Sequence, residues 1–428
     1  MPRNISLNEL NKSIAAIEAS LNKKPDKKGA KVMADIDLAP NTYFLRRPSG
    51  IISLDVDTGG GLPAGGLIYA SGPDGAGKTF LMYKYAAMNQ KLLGEHSAVA
   101  LGVSEAAPDH FFMRKCGMQI AIPEDMIAER VAARKTIGLP PFTKDQLKEF
   151  RAKTVGQVKI LRGATGEELL AAILTCFESR KFDIVTCDSI SAVLPEADAS
   201  KDLDENQKRA AAAGLLTKFF QHYLNGTTGY LNLNPTTVIF TSQVRSNSKK
   251  AEAPAHIQKY LPDYVAVGAW AAKHGKLIDI LVKPGKKAKE VMEVGRANSL
   301  GEMKQVETRV QTGKLVQYEI TKGKAGVHEG IAGEFDFHFP KDSAEMYDLK
   351  QQLTDDQYDL VVTAIAIGLV QDRDGFLTFH DASRNPIPAL LDVPGATKAA
   401  ELLRNDFELE LIVRYAVLSM SGISCAYR

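Results

Sequence analysis

Residues 72–79, Gly-Pro-Asp-Gly-Ala-Gly-Lys-Thr, constrain the fold more than any other stretch of the chain. They fit the phosphate-binding pattern G-x-x-x-x-G-K-[ST], which needs a strand before the loop and a helix after it. The apolar run 66–71 predicts a buried strand, and residues 80–88 predict a helix. Because both flanks agree, we interpret the loop as a nucleotide site and not as a glycine-rich turn that matches by chance.

This loop, called the P-loop below, is expected to make two kinds of contact with a nucleotide. Its glycines let backbone N–H groups point at phosphate oxygens, and the N-terminus of the following helix adds positive potential. Lys78 is expected to reach the β- and γ-phosphates, and the Thr79 hydroxyl to bind Mg²⁺. The residues predicted to hold ATP here are Gly72, Pro73, Asp74, Gly75, Ala76, Gly77, Lys78, Thr79 and Phe80.

Three further predicted strands lead to polar residues. The runs 98–103, 182–187 and 235–242 are followed by Glu105, Asp188 and Gln243, respectively. Side chains just past the carboxyl ends of parallel strands line the ligand crevice, so all three are candidates for the site. Asp188 would help Thr79 to hold Mg²⁺, Glu105 would take part in the chemistry, and Gln243 would sense a γ-phosphate. The alternatives are a helix-terminal charge for Glu105 and an ordinary strand-end group for Gln243.

Length and composition are those of an ordinary folded protein. With 428 residues the chain can form more than one domain, and 45% hydrophobic and 24% charged residues are typical of soluble proteins. The four cysteines lack a C-x-x-C spacing and the eight histidines lack a metal-binding spacing, so we expect reduced thiols, no zinc and a cytoplasmic location. No apolar run approaches the ~18 residues of a membrane span, and no signal-peptide core is present at the N-terminus.

Charge is distributed unevenly along the chain. Residues 340–428 hold eight Lys/Arg and fourteen Asp/Glu, a net charge of −6, so the remainder carries +8 of a total of +2. The asymmetry suits a polyanionic partner, although charge alone favours a surface without a special role.

The chain is predicted to have three parts. Residues 1–48 hold an amphipathic helix at 5–22 and a basic linker at 22–29, and would dock on the core of the same chain or of a neighbouring subunit. Residues 49–339 would form the nucleotide-binding core, with a surface insertion of two helical segments at 119–158. Residues 340–428 would form a small acidic α+β domain, with helices at 357–369 and 395–419 around a hairpin at 370–379.

Residues 244–265 are a candidate DNA-binding loop. They show no clear period, and so long a structureless loop in a compact domain indicates a function. Their basic and aromatic residues suit a phosphate backbone with stacked bases, although a solvated surface loop fits the composition about as well. The residues predicted to contact DNA are Arg245, Lys249, Lys250, Lys259 and Tyr260.

A second basic region, residues 283–312, lies between predicted strands at 277–282 and 313–321. The second of these strands leads to Lys322 and Lys324, which lie on one face of an extended segment. The two lysines would form an electropositive tip, or an edge that discourages sheet pairing.

Taken together, these residues resemble the RecA family of ATP-dependent homologous-recombination proteins. The resemblance covers roughly residues 5–118 and 159–339 and, weakly, the C-terminal part. It lies in the segment 49–65 that leads into the P-loop, in the stretch 104–117 that contains Glu105, and in Asp188-Ser189. It implies an α/β fold with a RecA-like P-loop NTPase core, in which helices flank a mostly parallel twisted sheet. An N-terminal helical segment and a small α+β C-terminal domain would complete the chain.

The resemblance also implies roles for individual residues. Glu105 would polarise the attacking water, and Asp109 and Phe112 would border the adenine, with Phe112 in place of the usual tyrosine. Gln243 would couple the γ-phosphate to a second DNA-binding loop at 244–266, the first being at 195–206. Lys322 and Lys324 would reach the ATP of the adjacent subunit, so the implied catalytic set is Glu105, Lys78, Gln243, Lys322 and Lys324.

The function implied is that of a recombinase that forms a helical filament on single-stranded DNA. It would use ATP and Mg²⁺, pair the bound strand with homologous double-stranded DNA, and work with a single-stranded-DNA-binding protein. The long segments 119–158 and 283–312 depart from the bacterial pattern and favour a phage-borne member. Two alternatives remain open, a RecA-like mediator or loader and a hexameric helicase-type motor, whereas no lid or acceptor site favours a small-molecule kinase.

Overall fold

The computed structural model of the protein describes most of the chain from residue 46 onwards. It covers residues 46–105, 108–193, 195, 214–222, 235–246, 250, 252–258, 264–266, 275–297, 303–324, 326–341, 343–349 and 351–420, together with 12, 15, 16 and 19. These last four positions are helical and belong to the helix predicted at 5–22, whose other residues lie outside the described ranges.

A large, mostly parallel sheet organises the core, as the sequence predicts. Its strand order is β11-β10-β9-β3-β7-β6-β4-β5, with β8 paired to β7. The six neighbours from β9 to β5 are parallel, whereas β8, β10 and β11 are antiparallel to their partners. The strands are β1 (Arg46–Arg47), β2 (Leu62–Pro63), β3 (Gly66–Gly72), β4 (Ala98–Val103), β5 (Gln157–Leu161), β6 (Ile184–Asp188), β7 (Thr237–Ser246), β8 (Tyr264–Ala266), β9 (Lys276–Ala297), β10 (Met303–Gly323), β11 (Ala332–His338), β12 (Val370–Arg373), β13 (Phe376–Phe379) and β14 (Val393–Pro394).

Helices cover both faces of this sheet. The helices of the chain are α1 (Ile52–Asp57), α2 (Lys78–Leu93), α3 (His110–Lys115), α4 (Glu124–Thr136), α5 (Lys144–Phe150), α6 (Gly166–Ser179), α7 (Ala255–Gln258), α8 (Ser343–Tyr347), α9 (Asp356–Ala366), α10 (Gly395–Asn405) and α11 (Phe407–Met420), of which α2 and α6 cover opposite faces of the sheet. Residues 214–222 are also helical. None of the helices in the described ranges is long and apolar enough to cross a membrane.

Alternating side chains of β3 divide the core into two layers. Ile68 and Ala70 pack with α2 on one face, whereas Leu67 and Tyr69 pack with α6 and the helical segment 214–222 on the other. Strands covered on both faces are apolar at nearly every position, which is why the central strands are recognisable from sequence. Each fully buried large apolar side chain contributes roughly 1.5–3 kcal/mol to the free energy of unfolding. These two layers therefore hold in place the carboxyl ends of the parallel strands, where the predicted site residues lie.

Residues 119–158, predicted as a surface insertion, lie in the connection between α3 and β5. The two helices predicted there are confirmed as α4 and α5, and they bury Phe142 and Phe150 against Phe111 of α3. The segment then enters β5, which the sequence did not predict and which pairs with β4 in parallel. A parallel pair requires a long crossover connection, and α4 and α5 belong to that crossover.

The basic region 283–312 is a β-ribbon and not an irregular excursion. β9 and β10 span 22 and 21 residues, and their antiparallel pairing runs from Gly323↔Ile278 to Met303↔Ala297. The ribbon satisfies its own backbone hydrogen bonds, so it can extend beyond the sheet. Three register shifts interrupt it. The shift between Ile320 and Lys322 adds a residue to β10 and turns Lys322 to the face opposite Ile320, whereas Lys314 stays on the same face as Val316.

The C-terminal residues form an α+β unit that packs on the P-loop helix α2. The hairpin predicted at 370–379 is confirmed, whereas the helix predicted at 395–419 is two helices, α10 and α11, because Asp406 is extended and its carboxylate caps α11. α1, which the sequence did not predict, adds Ile52 to the apolar cluster of this unit. Two ion pairs join the unit to α2, Lys84–Asp356 and Lys91–Glu410, and the second is 3.1 Å long.

A buried charge cluster connects the same unit to α1. The Arg414 guanidinium contacts Asp55 at 3.0 Å and Glu410 at 3.2 Å, and Asp55 also accepts a hydrogen bond from the backbone N–H of Ser49. Burial raises the pKa of Asp55 to about 6, against the opposing charge of Arg414. Removing one member of such a cluster leaves an uncompensated charge, which costs about 3–5 kcal/mol in comparable cases.

Candidate nucleotide-binding site

The P-loop leaves β3 at Gly72 and enters α2 at Lys78, as its pattern predicts. Gly75 and Gly77 have φ values of +67° and +118°, in the left-handed region that disfavours side chains. A Cβ atom at Gly72 would lie 2.2 Å from the backbone oxygen of Val282 in β9. The turn of the loop therefore requires glycine at positions 75 and 77, and the strand behind the loop requires it at position 72.

Lys78 is held inside the loop by the loop's own carbonyl groups. Its buried ammonium donates to the backbone oxygens of Gly72 and Pro73, at 2.9 and 2.8 Å. Burial lowers the pKa of Lys78, while the charges of Asp74, Asp188 and Glu105 oppose the shift. The positive charge thus lies where the pattern expects the phosphates.

Thr79 and Asp188 meet at the carboxyl ends of β3 and β6. The Thr79 hydroxyl donates to one carboxylate oxygen of Asp188 at 2.8 Å, and the hydroxyl of Thr241 in β7 donates to the other oxygen. Hydroxyl and carboxylate oxygens are the ligands that Mg²⁺ prefers, so this pair fits the predicted metal position. Sequence reasoning missed Thr241, because a threonine inside an apolar strand gives no signal until the strand order is known.

Glu105 is exposed at the end of β4 and is joined to β6 and β7 by serine hydroxyls. Ser189 donates to a carboxylate oxygen of Glu105 at 2.6 Å, and the hydroxyls of Ser189 and Ser191 are 2.8 Å apart. The backbone N–H of Gln243, which pairs with Gly72 across β3 and β7, donates to Ser191 at 3.3 Å. The chain Glu105–Ser189–Ser191–Gln243 therefore links two predicted site residues through Ser189, which is part of the RecA resemblance, and Ser191, which sequence reasoning did not single out.

Asp109 and Phe112 lie beside this edge, as predicted. With Thr79, Glu105 and Asp188 they line a cavity of about 160 Å³. The Asp109 carboxylate caps α3 by accepting from the backbone N–H of Phe111 at 2.9 Å and of Phe112 at 3.3 Å.

Two aromatic residues beside the loop have different positions. The ring of Phe112 lies 6.1 Å from that of Tyr83 in α2, a further lining residue that sequence reasoning did not name. Phe80, predicted to contact the nucleotide, is buried and packs on Phe337 at 4.9 Å and on Phe335 at 5.9 Å. Only its backbone N–H, among the first four of α2, remains for a phosphate.

Lys322 and Lys324 lie away from this edge. Lys322 pairs with Asp279 of β9, which pairs with Tyr69 of β3, so Lys322 lies on the face opposite α2. Burial and the charge of Lys324 lower the pKa of Lys322, whereas Asp279 raises it. The structure thus brings the P-loop, Glu105, Asp188 and Gln243 together and leaves the lysine pair outside.

The predicted DNA-binding residues are only partly described. β7 extends to Ser246 and pairs with β8, and α7 lies between them, so residues 244–265 are partly ordered into a hairpin and a short helix, contrary to the prediction of a structureless loop. The backbone of Arg245 pairs with Val265, and Lys250 is half-buried. Lys249, Lys259 and Tyr260 lie outside the described residues, as does all of 195–206 except Pro195.

Comparison with known proteins adds relatives of one kind. RecA of Herpetosiphon aurantiacus is 25% identical over 238 residues, which are 55% of this chain and 53% of that protein. RecA of Syntrophus aciditrophicus is 29% identical over 199 residues, 46% of each chain, and RecA of Helicobacter pylori is 27% identical over 198 residues, 46% of this chain and 45% of the relative. The match thus spans about half the length of these curated relatives. No family model matches the chain.

Proposed function

Because the chain is related to the RecA family of ATP-dependent homologous-recombination proteins, we propose that it is an ATP-dependent DNA recombinase. It would form a helical filament on single-stranded DNA and pair that strand with homologous double-stranded DNA. Hydrolysis of ATP would depend on DNA and would release it. The observation that carries the proposal is the Thr79–Asp188 contact of 2.8 Å beside Lys78, with Glu105 at the neighbouring strand end.

The polar groups at this edge have distinct chemical tasks. Lys78 would bind the outer phosphates, and Thr79 and Asp188 would hold the metal. When bound, Mg²⁺ would neutralise charge on the β- and γ-phosphates. Glu105, whose second carboxylate oxygen accepts no hydrogen bond from the described residues, would orient the attacking water. No covalent intermediate is needed, because positioning and charge stabilisation account for phosphoryl transfer.

DNA dependence would come from the link to β7. Gln243 is joined to Glu105 through Ser191 and Ser189, and β7 continues from Gln243 into the proposed DNA-binding segment 244–266. A shift of that segment on DNA would therefore move groups that contact Glu105. Arg245, Lys249, Lys250, Lys259 and Tyr260 are proposed to contact the DNA.

Assembly would complete the ATP site. Lys322 lies on the face of the sheet opposite its own α2, so phosphates that it binds together with Lys324 would belong to a neighbouring copy. ATP would then lie between subunits and stabilise the filament by binding at the interface.

The three parts of the chain would divide these tasks. Residues 1–48 would dock between subunits, residues 49–339 would bind ATP and DNA, and residues 340–428 would be the acidic C-terminal domain. A single-stranded-DNA-binding protein would be a further partner, and the site of action would be the cytoplasm.

The first test measures ATP hydrolysis by the full chain with and without circular single-stranded DNA. We expect DNA to raise the rate several-fold or more. Lys78→Ala is the control and should hydrolyse no ATP in either condition, because it removes the ammonium held in the P-loop. An equal rate of wild-type hydrolysis with and without DNA would contradict the proposal.

Electron microscopy with ATP and single-stranded DNA separates the remaining candidates. Helical filaments together with strand exchange support the recombinase. Closed rings would favour a hexameric motor, and DNA-stimulated hydrolysis without filaments or exchange would favour a mediator or loader.

A further inference from the structure

We propose that Lys314 is a second lysine of the chain's own nucleotide site. Its ammonium positions the apex of the P-loop through Gly75 and adds positive charge to the phosphates of a bound nucleoside di- or triphosphate. This inference rests on the proposed function of the P-loop as a nucleotide site. The roles assigned above to Lys78, Lys322 and Lys324 do not include it.

The first observation is a direct contact. The Lys314 ammonium, from β10, donates a hydrogen bond to the backbone oxygen of Gly75, the fourth residue of the P-loop. Gly75 has a positive φ of +67°, and a Cβ atom there would meet nothing within 4 Å, so the apex has no packing of its own. Lys314 therefore supports this exposed turn at Gly75.

The strands behind the loop explain why Lys314 reaches it. A Cβ atom at Gly77 would lie 3.7 Å from Val316 and 3.9 Å from Val282, so β10 and β9 back directly onto the loop. Lys314 lies two residues before Val316 in β10, on the same face, and pairs with Lys287, beyond the last β9 residue that pairs with β3, so it lies at the level of the loop. The carbon chain of Lys314 passes near Phe337, with the ammonium 5.4 Å from the ring centre.

The second observation is an imbalance of charge. Lys314 is half-buried, and burial together with the nearby positive charge of Lys287 lowers its pKa. Lys78 has Asp74 at 4.0 Å, but no carboxylate lies within 4.0 Å of Lys314 in the described part of the chain. A half-buried cation without a counter-charge is stabilised by an anion, and the anion that the adjoining loop is built for is a polyphosphate.

The geometry leaves donors for such a ligand. An ammonium carries three N–H groups, and the Gly75 contact uses one of them. The others can turn towards a phosphate oxygen while the first continues to hold the loop. A nucleoside monophosphate lacks the outer phosphates that the P-loop binds, so the contribution of Lys314 should be largest for di- and triphosphates.

The test measures the affinity of the full-length protein for Mg–ADP by titration calorimetry. Lys314→Met should weaken binding about fivefold to tenfold, because a charge-assisted hydrogen bond is lost. Lys314→Arg keeps the charge and should bind within about twofold of wild type. Lys287→Met is the matched control, since Lys287 pairs with Lys314 in register but is exposed, and it should change affinity by less than about twofold.

Salt dependence separates charge from support of the loop. Raising salt from about 50 to about 300 mM should weaken Mg–ADP binding less in Lys314→Met than in the wild type, because screening acts on the removed charge. Equal salt dependence, or wild-type affinity of Lys314→Met, would overturn the inference. If Lys314→Met also lowers the unfolding temperature without nucleotide, Lys314→Arg becomes the deciding variant. It keeps the charge, and its affinity for Mg–ADP should stay within about twofold of wild type.

A failure of the inference can be told from a failure of the proposed nucleotide site. If Lys78→Ala loses Mg–ADP binding while Lys314→Met retains it, the site is correct and the role of Lys314 is wrong. If Lys78→Ala binds Mg–ADP as tightly as wild type, the nucleotide site itself is wrong.

Discussion

Lysines at the two ends of the core part of β10 occupy different environments. Lys314 lies at the level of the P-loop, on the face covered by α2, and contacts Gly75. Lys322 lies on the opposite face, beside Asp279. The two are eight residues apart, which at about 3.3 Å per residue is roughly 26 Å. One strand therefore presents cations in two directions, one towards its own nucleotide site and one away from it.

The same comparison shows how the two ends are connected. Asp279, the register partner of Lys322, accepts from Ser71 at 2.8 Å and from Lys276 at 2.8 Å. Ser71 is the β3 residue directly before the P-loop. The strand that carries the loop therefore contacts Asp279, the residue beside Lys322. Hydrogen-bonded groups therefore connect the two ends.

The largest effect is expected at the P-loop edge, from Glu105→Gln. The amide cannot accept the proton of the attacking water as a carboxylate does, so turnover should fall by about 10²–10⁴-fold. Affinity for ATP and DNA should stay within about twofold. The measurement is steady-state hydrolysis beside equilibrium binding. Ser189→Ala is the milder comparison, because it removes the hydrogen bonds to Glu105 and Ser191 but keeps the Glu105 carboxylate. Normal turnover of Glu105→Gln would remove this residue from the chemistry.

A mixing experiment tests whether the two ends serve different sites. Subunits with Lys322→Ala and Lys324→Ala keep an intact P-loop, whereas Lys78→Ala subunits keep the lysine pair. Each should be nearly inactive alone, yet an equal mixture should recover up to about a quarter of wild-type hydrolysis, from interfaces that join one of each.

The outcome depends only on where the lysine pair acts. If Lys322 and Lys324 served the P-loop of their own chain, no mixture would contain an intact site. If hydrolysis by the mixture stays at the level of the separate variants, Lys322 and Lys324 do not act at the ATP of a neighbouring subunit.

The P-loop edge could be predicted from sequence because its signals are local. The loop pattern, and Glu105, Asp188 and Gln243 after apolar runs, need only the chain direction and the rule for parallel strands. Ser191 and Thr241 could not be found in this way, since their roles depend on which strands are neighbours. The contact of Lys314 with Gly75 depends on β9 and β10 lying behind the loop, and residue spacing does not encode that arrangement.

The fold likewise has parts that the sequence predicts and parts that it does not. The central strands were predicted because burial on both faces makes them continuously apolar. The outer ribbon of β9 and β10 mixes lysine and glutamate with valine, and its pairing is set by cross-strand hydrogen bonds that composition does not show. The two helices around Asp406 look like one amphipathic segment, because only the extended backbone of that residue separates them.

A smaller effect is expected from Thr241→Val, which should act at the P-loop edge alone. Valine keeps the shape but removes the hydroxyl that fixes Asp188, so the Mg²⁺ concentration for half-maximal hydrolysis should rise about threefold to tenfold. Thr175→Val is the control, since the Thr175 hydroxyl donates only to its own helix. Because the variant without Lys322 and Lys324 hydrolyses little ATP, its Mg²⁺ requirement is measured by binding of ADP and should equal that of wild type. A matching rise there would erase the distinction between the two ends.

The smallest expected effect tests whether the C-terminal α+β unit is independent of both the P-loop and the lysine pair. Burial and the charges of Asp356, Asp355 and Asp336 raise the pKa of Asp359 to about 7, from an ordinary value of 3.8. The folded state thus holds this proton more tightly than the unfolded state, so its stabilising contribution is lost as pH rises from about 4 to about 7.

Asp359→Asn removes this titration without changing the shape of the side chain. At pH 8 the variant should unfold about 1–3 °C above wild type, and the difference should shrink towards pH 5. Glu401→Gln is the control, because Lys398 lowers the pKa of Glu401 and its effect should not vary over this range. Calorimetry gives the unfolding temperatures, and ATP hydrolysis by Asp359→Asn should stay within about twofold of wild type. A larger change in hydrolysis would mean that the unit packed on α2 acts on the nucleotide edge and does more than support it.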